Sequence, residues 1–196
     1  MFDQIELAGE FFEKLTQIDA EIVARAAADG CRFCGGPLHR GDYPRKPRGG
    51  LVAPAAEAFS RRFSLCCGRE GCRRRATPPS VRFLGRRVYV GAAVVLASVV
   101  ALALMAASAV RRATGIAPRT TRRWLQWWRG PFVATPVFVD LSARLVPAVA
   151  RERLPSSMLE RLDAGPATRL QRVLGWLAPL TTASSPNGAR LVRDLM

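Results

Sequence analysis

A mainly α-helical fold is predicted, interrupted by one small cysteine-rich β-hairpin domain, with a helix-turn-helix in the middle and short helices at the C-terminus. Three observations predict it. Apolar residues recur at helical spacing over residues 3–28 and again from 84 to about 130. Between 30 and 80 that period gives way to Gly, Pro and Cys, with the cysteines in two close pairs. Beyond 130, Pro136, Pro147, Pro155, Pro166 and Pro179 cut the chain into segments too short for long helices. The expected division is therefore 1–29, an acidic amphipathic helix; 30–83, the cysteine domain; 84–130, the helix-turn-helix; and 131–196, the C-terminal helices.

In the first segment Phe11, Leu15, Ile18 and Ile22 form one apolar stripe with acids on the other faces, and Asp29-Gly30 ends the helix. The acidic, amphipathic start is unlike a cleavable signal peptide, so a cytoplasmic setting with reduced thiols is expected.

In the second segment, Cys31-Arg-Phe-Cys34-Gly-Gly has the C-x2-C-G form of a zinc knuckle, in which two thiolates converge on one ion and glycine closes the turn. Cys67 and Cys72 supply the second pair as C-x4-C, completing a tetrathiolate set for structural Zn²⁺. The alternation of Phe63, Leu65 and Cys67 in "RRFSLCC" reads as a strand with Cys67 on the apolar face; Cys66, on the other, stays as the alternate ligand or a bystander. His39, the single histidine, is read as a loop residue rather than a ligand. The 32-residue separation of Cys34 from Cys67 makes "YPRKPRGG" a projecting loop. Four thiols close the coordination shell, so the metal is expected to act as scaffold, contributing about 10–16 kcal/mol to a segment with too little apolar surface to fold alone.

Charge points to the partner. Thirty basic against fifteen acidic residues give +15, and seven of the acids lie in residues 1–29. The excess is concentrated at 30–87 and 111–130, and nearly all of it is Arg, whose planar fork suits phosphate oxygens. Arg73, Arg74 and Arg75 leave the second knuckle directly, and Arg45, Lys46 and Arg48 sit between prolines in the loop. These are the expected phosphate contacts of a salt-sensitive nucleic-acid binder.

In the third segment, "SAVRRATGIAPRTTRRWLQWWRG" predicts a helix ending at Thr114, Gly115 where positive φ is needed, and Pro118 opening a second helix through Arg129. Trp124, Leu125 and Trp128 share its packing face; Arg119, Thr120, Arg122 and Arg123 are left for a major groove of double-stranded DNA. A competing reading takes the charge-free run 88–110 as a transmembrane helix anchoring a cytoplasmic zinc domain. RNA binding is a weaker third reading, with Phe33 and Tyr43 as the stacking aromatics. The acids outside the first helix are few and scattered, there is no phosphate-binding glycine loop, and Tyr43 and Tyr89 are poorly placed as nucleophiles, so no enzymatic activity is expected.

Together "CRFCGGPLHRGDYPRKPRGG", "RRFSLCCGREGCRRRATPPSVRFLGRRVYVGAAVVL" and "TTRRWLQWWRGPFVATP" resemble the small zinc-ribbon plus helix-turn-helix proteins of bacterial insertion elements, over roughly residues 30–136. That resemblance implies a transposase-associated, nucleoid-bound protein that binds element ends or represses the element's promoter. The acidic first helix would screen the basic surface or form a homodimer contact.

Overall fold

The structure, a computed structural model, describes residues 9–46, 59–84, 89–104 and 106–183. Helix α1 (Gly9–Ala28) begins the described chain and buries Phe11, Phe12, Leu15, Ile18 and Ile22, the stripe its spacing predicts. It ends where Gly30 turns to φ +74°, a left-handed conformation glycine adopts without strain, and this turn delivers Cys31 one residue later.

Seven short strands follow among the described residues: β1 (Leu38–Arg40), β2 (Tyr43–Pro44), β3 (Arg61–Arg62), β4 (Leu65–Cys67), β5 (Arg75–Ala76), β6 (Phe83–Leu84) and β7 (Tyr89–Val90). The central sheet has the order β1-β4-β5 and is antiparallel, with Leu38 opposite Cys67 and His39 opposite Cys66. The pairs β2-β3 and β6-β7 stand apart from it. "RRFSLCC" is thus not one strand. It breaks after Arg62, so that β3 pairs with β2 while β4 joins the central sheet, and Ser64 at the break donates its N–H to Asp42 Oδ1 (3.0 Å). His39 lies in a strand rather than a loop.

The charge-free run is also divided. Helix α2 (Gly91–Leu104) is followed by α3 (Ala107–Thr114), and Ala106 between them is extended (φ −78°, ψ 120°). Among the described residues no helix is long and apolar enough to cross a membrane. Instead α2 is central: Ala92, Ala93, Val94, Val95, Ala97 and Val99 are buried, and its small side chains let α3, α4 and α7 approach closely. A Cβ on Gly91 would stand 2.8 Å from Leu174 Cδ2. Ser98 ties the centre to the next helices: it accepts from Trp128 Nε1 (3.1 Å) and donates to the Val94 carbonyl.

Gly115 (φ +68°) closes α3, its N–H donating to the Arg111 carbonyl, and Pro118 opens α4 (Pro118–Trp127), as the Gly and Pro positions predict. The helix ends earlier than expected, at Trp127, and passes into one π-turn over Trp128–Phe132. The rest of the described chain holds α5 (Pro136–Ser142), α6 (Ser156–Leu159), α7 (Pro166–Leu177) and two 3-10 turns, with proline at the first position of α5 and α7.

One apolar cluster joins α1 to Phe59, β6, β7, α2, α4 and the C-terminal helices. Edge-to-face rings link its parts: Phe12 to Phe59 to Phe83 on one side, Trp128 to Phe132 to Phe138 on the other. Residues 30–46 contribute nothing to this cluster.

Candidate metal centre and basic surfaces

Two turns build the cysteine site. In the first, the N–H groups of Cys34 and Gly35 donate to the Cys31 carbonyl (3.2 and 2.7 Å), and Cys31 N–H donates to Gly36 O (2.9 Å). Gly35 sits at φ +67°, as the C-x2-C-G form requires. In the second, Cys67 N–H donates to Arg74 O, Cys72 and Arg73 donate to Arg69 O, and Gly71 (φ +82°) makes the bend. Arg69 clamps the turns together by donating from Nη1 to Cys34 O (2.9 Å).

The four predicted thiols converge: Cys31, Cys34, Cys67 and Cys72 place their sulfurs within 4.8 Å of one another. The Cys31–Cys72 and Cys34–Cys67 pairs lie 3.8 and 3.5 Å apart. An ion bound to four thiolates at about 2.3 Å sets its sulfurs roughly 3.8 Å apart, and these two pairs lie close to that separation. Gly36 is a buried part of this site: a Cβ there would lie 3.3 Å from both Cys34 Sγ and Cys67 Sγ. Cys66 is on the opposite face of β4, with its sulfur against Gly41, and neither it nor His39 belongs to the cluster.

The thiols are electrostatically unequal. Backbone N–H groups, Phe33 foremost, pull Cys31 down to about 7 against the opposing effect of burial. At Cys67 the Arg69 N–H also favours the thiolate, but burial and the neighbouring thiols outweigh it and push the group up to about 12. The Cys31 thiolate forms easily, and crowding then holds the proton on Cys67. A divalent cation removes that conflict.

The arginines divide into two populations. Some are locked into the fold. Arg82 is fully buried against Asp19 (Nε to Oδ2, 2.8 Å) and Phe63, while Ser80 and the Val81 N–H complete the carboxylate's shell. Arg62 is buried and donates to Pro78 O (2.6 Å); burial lowers its guanidinium from the ordinary value, with Asp19 acting in the opposite direction. Arg75 is exposed but committed, since Nη1 donates to Gly41 O and Ser64 Oγ (2.6 and 2.8 Å).

The others face solvent. Arg73 (φ +45°) and Arg74 are exposed beside the second knuckle, and Arg74 lies 4.2 Å from the Phe33 ring centre. Arg45 is half-buried, stacked on Tyr43 at 4.7 Å and donating to its hydroxyl (3.3 Å); Lys46 is exposed, and Arg48 lies outside the described residues. On α4, Arg119, Arg122 and Arg123 are exposed and Thr120 half-buried, while Thr121 and Trp124 face the core. Arg123 is steadied by donating to the Tyr89 hydroxyl (2.9 Å). Sequence reasoning missed the roles of Arg62 and Arg82; a buried acid one apolar stripe away in α1 is a signal visible only after folding.

No family model matches the chain, and neither a curated protein nor a solved structure matches it. The likeness to insertion-element proteins therefore rests on the residue motifs alone.

Proposed function

We propose that this chain is a zinc-stabilised, non-enzymatic DNA-binding protein whose basic ribbon and α3–α4 helix-turn-helix grip neighbouring stretches of duplex. Four cysteine sulfurs within 4.8 Å of one another, with no histidine in the cluster, suit Zn²⁺ held as a structural ion. The carrying observation is the two-sidedness of α4: Trp124 is buried while Arg119, Arg122 and Arg123 project outward together. Guanidinium groups on such a face would meet guanine edges and phosphates. The exposed cations of the ribbon would add sequence-independent contacts that weaken with salt. The resemblance makes element ends and a transposase the partners to try first.

The test is a selection of bound fragments from random duplex, with and without a zinc chelator. An enriched sequence that disappears on chelation supports the reading. Failure to retain any duplex in dilute buffer overturns it.

A further inference from the structure

The knuckles carry an aromatic side chain in an unusual place. Phe33, between the first two metal-site cysteines, is 48% exposed, one of few large apolar side chains left so. Two guanidinium groups lie against it: Arg32 at 4.5 Å and Arg74 at 4.2 Å from the ring centre. Arg32 comes from the first turn and Arg74 from the second, so the cluster straddles both halves of the metal site.

Four arginines, Arg32, Arg69, Arg73 and Arg74, are exposed on the two cysteine turns. Burial does not account for the ring, since nearly half of it is in water. An exposed ring with cations on it, held by a rigid turn, matches what unstacked bases require: a π-surface, and charge for the phosphate beside it.

We propose that the Arg32–Phe33–Arg74 cluster is a stacking platform for an unpaired nucleotide of single-stranded DNA. The base lies against the Phe33–guanidinium stack and the flanking phosphates meet Arg73 and Arg74. Paired bases are stacked inside the duplex and offer no face to Phe33, so the platform selects unpaired strand. Building on the duplex reading above, this divides the labour: α4 holds paired DNA and the ribbon an adjoining opened strand. The protein as a whole then favours junctions between duplex and single strand.

The experiment titrates fluorescent dT15, a 20-base-pair duplex, and the same duplex with a dT15 tail, using the full zinc-loaded chain. Phe33→Leu and Arg122→Ala are compared with the parent, and zinc content by chromogenic release checks that each variant keeps its ribbon. Phe33→Leu is expected to weaken dT15 binding about tenfold and leave the blunt duplex unchanged, a stacked base being worth about 1–3 kcal/mol. Arg122→Ala does the reverse. A 2-aminopurine in the tail reports the stack directly, its emission changing on binding to the parent and not to Phe33→Leu. If Phe33→Leu binds dT15 as well as the parent does, or loses duplex and single strand equally, the platform is refuted. If the duplex alone goes unbound by the parent, the helix-turn-helix reading fails and the platform stands.

Discussion

Asp19 and Arg82 are both wholly buried, and each is what allows the other to be. The carboxylate accepts from Arg82 Nε, Ser80 Oγ and the Val81 N–H, so the pair pins α1 to the segment just before β6. Removing one partner strands a charge in the core, which typically costs about 3–5 kcal/mol. Asp19→Asn should therefore lower the urea midpoint strongly at unchanged zinc content, and Asp19→Leu with Arg82→Met together should recover much of the loss. A midpoint within error of the parent for Asp19→Asn would contradict the pairing. The cysteines make a second residue-scale contrast: Cys34→Ser or Cys72→Ser should abolish zinc stoichiometry, while Cys66→Ser should keep it. The spacing rules made this cysteine cluster readable before folding, because each close pair is a local object set by a few residues of one turn. Arg82 falls inside the basic 30–87 window and nothing in the sequence marks it as buried, because its partner is 63 residues away and no local rule reaches that far.

At the scale of elements, α2 and α4 explain why one apolar run was hard to interpret and one basic run was easy. Residues 88–110 carry no charge, and nothing between Leu104 and Ala107 announces a break by Gly or Pro, yet Ala106 is extended and the run becomes two helices. Gly115 and Pro118, by contrast, mark the next boundary by backbone chemistry alone. The alanines of α2 mean close packing, which is testable. Ala97 is fully buried, so Ala97→Leu should overpack the core and cost about 1–3 kcal/mol, read as a fall in Tm. In a helix facing lipid the same change would be harmless. For α4, Arg122→Ala should relax base preference in the selected site, whereas Arg74→Ala should mainly reduce the salt dependence of binding by about one unit of slope. Equal effects of both on specific and random duplex would reduce α4 to a nonspecific cationic face.

The whole molecule is two structures with different sources of stability. The helical part closes on a continuous apolar cluster in which all four tryptophans, Trp124, Trp127, Trp128 and Trp176, are buried or packed against the edge. The ribbon has little of that: Leu65 and the cysteines themselves make most of its interior. Chelation should therefore dismantle the cysteine turns and the β1-β4-β5 sheet and leave the far-ultraviolet helical signal and tryptophan emission largely intact. Acid should do the same through the thiols. Zinc displaces the protons its ligands carry, so affinity rises with pH, and the slope of log K against pH equals the number of protons released. Above about pH 7 Cys31 has already lost its proton, whereas Cys67, pushed up to about 12, still carries one to release. The slope should thus be steeper by nearly one proton below pH 7 than above it. Competition titrations against a chromogenic chelator between pH 6 and 8.5 measure this directly. A slope that stays constant across that interval would mean that no thiol of the cluster loses its proton near pH 7, and would remove the special role of the Phe33 and Cys34 N–H groups at Cys31.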